Sequence, residues 1–333
     1  MAEILEATLT PSKLDLLAEW MGSQRWYAAK GRRPRLTRLR GYRLDDPAGR
    51  VGIETIIVQD DACTPSVVYQ VPLTYRGAPL PGAESALVGT MEHSVLGTRY
   101  VYDAPHDPVY VAALWELIQG RALAQSCAAS DTLEPSVTGE AVRGRYAAPP
   151  GPVTASRVLA GEQSNTSIVC GVAGVGAVIV KIFRTLAPGP NPDVVLQPAL
   201  AAAGCSHVAR TLGWVTGIWN PDEPSVPPGH LAFAQDFLSG TRDAWRVAVE
   251  AVAADAALDG GAEELGAVVA QIHRILAEQF PTARPGVQDR VTVITGMRQR
   301  FRAAAAEVPE LAELAAAVHR RYDQALQAPW PSL

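Results

Sequence analysis

The amino-acid sequence predicts an α+β fold. Three observations carry that expectation. Apolar residues fall into short, near-alternating runs across 36–76, and again across 158–183 and 209–238. Turn-forming clusters such as Asp45-Asp46-Pro47 and Asp60-Asp61 punctuate them. From 241 to 328 the chain is Ala-rich with helical spacing. Strand runs followed by helices, with a break between them, describe antiparallel sheets with helices packed beside them.

Thr10-Pro11-Ser12 opens a helix over 11–21, with Leu14, Leu16, Leu17, Trp20 and Met21 as its apolar stripe. Residues 36–76 then read as a small antiparallel sheet. Residues 109–124 form a helix with Val109, Ala112, Ala113, Leu114, Leu117 and Ile118 on one side. Between 126 and 152 Ser, Ala, Thr, Gly and Pro dominate, ending in Ala147-Ala148-Pro149-Pro150-Gly151, the composition of a linker. Strand-like runs follow at Val158–Leu159, Ser167–Gly171 and Val178–Phe183. Pro188-Gly189-Pro190-Asn191-Pro192 opens a helix through Ala203, and two more strands run over Ala209–Thr216 and Leu231–Leu238. The expected divisions are an N-terminal unit over 1–125, a linker over 126–152, a sheet-bearing unit over 153–240 and a helical portion over 241–333.

The 333 residues are 48% hydrophobic and 19% charged, a globular balance with the length of about two domains. A net charge of −5 argues against a nucleic-acid coat or a polybasic membrane anchor. Apolar runs such as Ala177–Val180 are too short to span a bilayer. Glu3 and Glu6 break any secretory-signal order, so a cytoplasmic location is expected. Cys63, Cys127, Cys170 and Cys205 are spread with no CxxC pair, as reduced thiols are. Only Lys13, Lys30 and Lys181 among the 29 basic residues are lysines. Where arginine is the default, a retained lysine invites a local reason. Seven basic residues between Lys30 and Arg43 lie near Trp26 and Tyr27. They read as the solvated face of the first strands rather than as an RNA surface.

The chemistry concentrates in 157–184. A strand leads into Gly161-Glu162-Gln163-Ser164-Asn165-Thr166-Ser167, then a second strand, a Gly-rich turn and Ala177-Val178-Ile179-Val180-Lys181-Ile182-Phe183. A turn of small polar residues brings backbone N–H groups and hydroxyls to phosphate oxygens. Alternation turns Lys181 away from Val180 and Ile182, into a cleft if those two face the core. The alternative is a plain hairpin turn with an edge-strand lysine that deters aggregation. There is no Gly-Lys-Ser/Thr at a helix start and no dinucleotide fingerprint. His230–Gly240 is an apolar strand running into a polar joint, Gln235-Asp236-Phe237-Leu238, which could offer backbone groups to an adenine edge.

In order, these pieces resemble the two-lobed aminoglycoside-phosphotransferase-like kinase fold. The N-terminal portion resembles the cap domain of maltokinases and their glucosamine-kinase relatives. The residues that carry the resemblance are Gln24–Arg32, Tyr102-Asp103-Ala104 before Asp107-Pro108, Gly161–Thr166 with Lys181, Asn191-Pro192-Asp193, Gln235–Gly240, and Leu265-Gly266 with Ala270 and His273. It implies a cap domain, a kinase-like N-lobe with hinge and the helical start of a C-lobe, with ATP and Mg2+ as cofactors and a small sugar as substrate. Lys181 then resembles the strand lysine that holds the α/β-phosphates. Ser164, Asn165 and Thr166 resemble the turn over the phosphates. Gln235, Asp236, Phe237 and Leu238 resemble the adenine hinge, with Asp243 reaching for the ribose. His273 is expected to be a packed helix histidine, and Trp20, Trp26 and Tyr27 core aromatics.

Two departures stand out. The resemblance implies a carboxylate on the helix after Asn191-Pro192-Asp193 to pair with the strand lysine, but the expected positions read Val194-Val195-Leu196-Gln197. Gln197 could substitute as a neutral partner, or Lys181 is positioned otherwise. Second, an acceptor-side Asp and magnesium ligands, which phosphoryl transfer needs, find no match. His319–Asp323 sits in a helical pattern instead. No catalytic or metal-binding residue is therefore assigned, and the catalytic Asp is expected beyond Leu333, in a longer chain. The implied activity is an ATP-dependent sugar kinase making glucosamine 6-phosphate. The alternatives are a maltokinase making maltose 1-phosphate and a non-catalytic ATP-binding pseudokinase module.

Overall fold

The computed structural model describes residues 7–142, 144, 149–160, 164–220, 226–256 and 261–330. Its α+β architecture matches the expected class. The chain divides into two compact units, Met1–Leu258 and Asp259–Leu333.

The first unit opens with β1 (Leu9–Thr10) and α1 (Lys13–Trp20), whose N-cap Ser12 accepts from the Asp15 N–H. Three long strands follow, β2 (Leu36–Leu44), β3 (Gly52–Asp60) and β4 (Val67–Arg76), then the hairpin β5 (Leu87–His93) and β6 (Gly97–Asp103). α2 (Pro108–Ile118) is capped by Asp107, which also takes two 2.7 Å hydrogen bonds from Arg76. β7 (Gln125–Ser126), β8 (Val137–Ala141), β9 (Val153–Val158), β10 (Asn165–Val172), β11 (Gly176–Phe183) and β12 (Thr185–Leu186) lead to α3 (Pro192–Ala202). β13 (Thr211–Gly217), β14 (Gly229–Asp236) and α4 (Ala244–Ala253) complete the unit.

The strands form two antiparallel sheets. The first runs β1-β5-β6-β4-β3-β2-β7, with β12 added on β4, and the second runs β8-β13-β14-β11-β10-β9. Alternation gives each sheet two faces. One face of the first sheet carries Ile56, Val58, Tyr69, Val71 and Leu73 and buries them under Leu16, Leu17 and Met21 of α1. Trp26 and Tyr27 pack on Tyr69 with ring centroids 5.7 and 5.8 Å away, and Trp20 stacks edge-on to Trp26, so the expected core aromatics are core. The opposite face carries Tyr42, Ile53 and Ile57. These share one core with Leu114, Trp115 and Ile118 of α2 and with Ile168, Val178, Val180 and Ile182 of the second sheet.

The stretch expected as a linker, 126–152, therefore does not separate a pair of bodies. Its residues Val137–Ala141 form the edge strand of the second sheet, paired with β13 from Gly213↔Ala141 to Gly217↔Val137. Residues 143 and 145–148 lie outside the described ones. Gly139 in that strand lets α2 lie close, since a Cβ there would sit 1.7 Å from the Leu117 carbonyl oxygen.

In the second unit the chain forms α5 (Gly261–Gln279), α6 (Val287–Glu307) and α7 (Ala315–Gln327), as the Ala-rich pattern predicts. His273 is exposed there, while Ile275, two residues on, is buried. The expected packed histidine thus faces solvent, because the buried stripe of α5 runs through Ile275 instead. His319 lies in α7, 5.6 Å edge-to-face from Phe301.

Candidate functional site

Lys181 sits in the middle of β11, opposite Ser167 on β10 and Phe233 on β14. Its neighbours Val180 and Ile182 face the core shared with α2. The lysine therefore projects to the other face of the sheet, as alternation predicts. There its Nζ lies 3.1 Å from Asp193 Oδ2.

Asp193 is the partner that sequence reasoning misses. The expected carboxylate position lies further along the helix, at Val194–Gln197. The pair forms instead at the first turn of α3, where Asn191 caps the helix by accepting from the Asp193 N–H at 2.9 Å. A carboxylate is favoured at that end by the helix dipole. Asn191 is held in turn, its N–H donating to His230 Nδ1 at 3.0 Å. Burial pushes the His230 pKa down, which keeps that nitrogen a free acceptor.

The turn before β10 is described from Ser164 onward, and Gly161, Glu162 and Gln163 lie outside the described residues. The Ser164 carbonyl accepts from the Arg184 N–H at 3.2 Å. Asn165 pairs with Phe183, so its side chain shares the Lys181 face. Thr166 pairs with Ile182 and points to the opposite face. There its buried hydroxyl accepts from Arg184 Nε at 2.8 Å. Of the residues expected in the phosphate turn, Asn165 thus shares the face of Lys181, and strand alternation places Thr166 on the other.

On the same face as Lys181, Gln235 lies opposite Ile179 on β11 and Thr211 on β13. Gln235 Oε1 and Thr211 Oγ1 are both buried without a hydrogen-bond partner among the described residues. Two adjacent, unsatisfied polar atoms on one face cost free energy unless something beyond the described residues meets them. Thr211 goes unnoticed in the sequence, since a lone Thr at a strand start carries no chemical signal.

Asp236 is spent on Arg210, whose Nε approaches Oδ2 to 2.6 Å. The Asp236 and Phe237 N–H groups donate to Arg210 O and Ala177 O. Leu238 is exposed, and its carbonyl accepts from Thr241 Oγ1 at 2.8 Å. Asp243, expected at the ribose, is the N-cap of α4, with its Oδ1 accepting from the Arg246 N–H at 2.9 Å. Among the described residues no three His, Cys, Asp or Glu side chains gather as a metal-binding group. No helix among them is long and apolar enough to cross a membrane.

Comparison with known proteins agrees with this architecture. Residues 20–107 match the maltokinase N-terminal cap domain family. Across 97% of the chain the fold superposes on a glucosamine kinase solved in complex with glucosamine, ADP and inorganic phosphate, at TM-score 0.55 and 21% identity. Two further crystal forms of glucosamine kinase match at TM-scores 0.52 and 0.54, with 20% and 19% identity over 97% and 95% of the chain. The chain spans about two thirds of the length of those proteins, 67%, 67% and 66%. This protein thus carries a maltokinase-type N-terminal cap on the fold of the glucosamine kinases.

Proposed function

We propose that the chain binds ATP and serves a sugar kinase that passes a phosphoryl group from Mg-ATP to glucosamine. The observation that carries this reading is the Lys181–Asp193 pair on the face of the second sheet turned away from α2, beside the Ser164–Asn165 turn. A lysine held there by a carboxylate supplies a compact charge for the α/β-phosphates. The turn offers backbone donors to the outer phosphates. Gln235 Oε1, buried and partnerless on the same face among the described residues, can accept from an adenine amine. The Phe237 N–H is committed to the Ala177 carbonyl, which leaves Gln235 as the hinge group that reads adenine.

The described side chains on this face do not supply a metal set. What this chain's residues do is hold and orient the nucleotide. Glucosamine is favoured as acceptor because the similar solved protein binds it. Maltose is the other candidate, because the cap is of the maltokinase type.

The test has two steps. Calorimetric titration with ATP should show binding that Lys181→Ala abolishes or sharply weakens. ADP release by the full-length protein should then be followed with glucosamine and maltose side by side. Release with glucosamine supports the reading, and release with maltose alone moves the acceptor. ATP binding with no release on either sugar identifies a non-catalytic nucleotide-binding module. No ATP binding at all rejects the reading.

A further inference from the structure

A cavity of about 630 Å³ lies on the first sheet, between α1 and the loop at 45–51, among residues to which the sequence assigns no chemistry. Its volume falls in the range of small-molecule sites. Five cations and three carboxylates line it. The carboxylates are partly used up within the protein. Glu54 is buried and held by Lys13 and by Arg38 Nη2 at 3.1 Å, with the Tyr75 hydroxyl donating to it at 3.0 Å. Asp46 accepts from the Ala48, Arg50 and Val51 N–H groups of its own loop at 2.9–3.0 Å.

Of the five cations, Arg43, Arg50 and Arg99 then remain, with Asp45 as the third carboxylate, and Arg43 and Arg99 are the two that strands β2 and β6 supply. Arg43 on β2 lies directly opposite Glu54 of β3, yet Glu54 takes its ion pairs from Lys13 and Arg38. Arg99, on β6, donates to the Leu96 carbonyl and to no carboxylate among the described residues. The Nε atoms of both arginines are buried without a hydrogen-bond partner among those residues. Those two atoms are closed off from solvent, so what the cavity offers a ligand is the remaining N–H groups of the two guanidiniums, and an oxyanion matches those best.

We propose that this cavity in the cap is a binding site for a small phosphate monoester, separate from the face that carries Lys181. Two guanidinium groups from different strands reach one cavity. A phosphate presents three terminal oxygens and can accept from both at once. The cavity exceeds a bare phosphate, and its lining of Leu9, Tyr75, Met91 and His93 leaves room for a hydroxylated body.

The experiment is calorimetric titration of the full chain with glucose 6-phosphate, inorganic phosphate and citrate. Glucose 6-phosphate should bind, phosphate more weakly and citrate not measurably. Arg43→Gln and Arg99→Gln should each weaken the sugar phosphate roughly tenfold or more, the loss of one charge-assisted contact. Each variant should keep its unliganded melting point within about 2 °C of the parent, since neither arginine has a carboxylate partner among the described residues to lose. Lys181→Ala should leave sugar-phosphate binding unchanged, and ATP should not displace it. No glucose 6-phosphate binding up to about 10 mM, where any affinity would be too weak to matter, overturns the proposal. So do binding that survives both arginine changes, citrate binding as tightly as glucose 6-phosphate, and displacement by ATP.

Discussion

Arg184 and Asp103 meet inside the first unit, Arg184 Nη2 donating to both carboxylate oxygens at 2.7 Å. Both side chains are buried. Asp103 ends β6 of the first sheet, and Arg184 follows β11 of the second, so one ion pair ties the cap to the strand that carries Lys181. The Trp26 ring lies 4.9 Å from the guanidinium carbon, and Arg184 Nε holds Thr166 beside the candidate phosphate turn. Gln70 reinforces the joint by donating to the Phe183 and Leu231 carbonyls at 3.1 and 2.9 Å.

Removing one partner of this pair strands a buried charge. Arg184→Met is expected to cost roughly 3–5 kcal/mol in urea unfolding, and Asp103→Ala a similar amount. The double substitution Asp103→Ala with Arg184→Met should cost clearly less than the two singles together, because it removes both charges. Additive losses would show that the two residues act independently.

Lys181→Ala should weaken ATP binding roughly 10- to 100-fold, the effect of losing a charge-assisted phosphate contact. Asp193→Asn keeps the helix cap but not the charge, and should weaken binding by less than Lys181→Ala does. Its effect on stability should be small, because the Asp193 side chain is 40% exposed and such pairs contribute about 1 kcal/mol at most. Titration of the three proteins, with melting points measured alongside, checks both statements. An Asp193→Asn loss as large as that of Lys181→Ala would mean the aspartate touches the ligand itself.

What can be read in the sequence is whatever rests on local periodicity. Alternation from Val178 to Ile182 places Lys181 off the core, and the same rule, applied to Asn165 and Thr166, turns Thr166 away. The three lysines kept in an arginine-rich chain each have a local partner. Lys13 pairs with Glu54, Lys30 donates to the Gln24 and Arg25 carbonyls, and Lys181 pairs with Asp193. The basic run from Lys30 to Arg43, expected as a solvated face, also ties loops together, as with Arg32 on the Ala62 carbonyl. Strands without apolar alternation stay hidden. β5 and β6 carry Gly89, Glu92, Thr98 and Arg99, and Val137–Ala141 shows itself only by pairing with β13. Asp193 is in plain view, but which turn of α3 approaches β11 depends on the angle at which the helix enters, and no local pattern records that.

Gly139→Ala tests how closely α2 lies on the second sheet. The added Cβ would fall 1.7 Å from the Leu117 carbonyl oxygen and 2.5 Å from its carbon, both rigid backbone. Relief requires β8 or the end of α2 to move, at a cost of roughly 3 kcal/mol or more in urea unfolding. Gly266→Ala in α5 is the control. Its Cβ would meet nothing within 4 Å, so it should stabilise its helix by about 0.5–1 kcal/mol. Equal effects at the two positions would mean that helix and strand do not approach as described.

The buried carboxylate of Glu54 sets an acid limit on the cap. Burial pushes its pKa up, but Lys13, Arg38 and the Tyr75 hydroxyl outweigh burial and hold it below the ordinary carboxylate value. Burial and the Glu54 charge push the neighbouring Cys127 thiol up to about 12, so this cysteine does not compete for the proton. A group whose folded pKa is depressed stabilises the fold fully above its unfolded value, and that contribution is lost as pH falls through the folded value. The melting temperature should therefore drop as pH falls below about 4, where an unperturbed glutamate titrates. Glu54→Gln should be less stable than the parent at pH 7, because it leaves Lys13 and Arg38 facing a neutral amide. Its melting temperature should also change less with pH over the acid range, so the two curves converge. Parallel curves would show that Glu54 binds its proton equally in the folded and unfolded chain, which the ion pairs around it forbid.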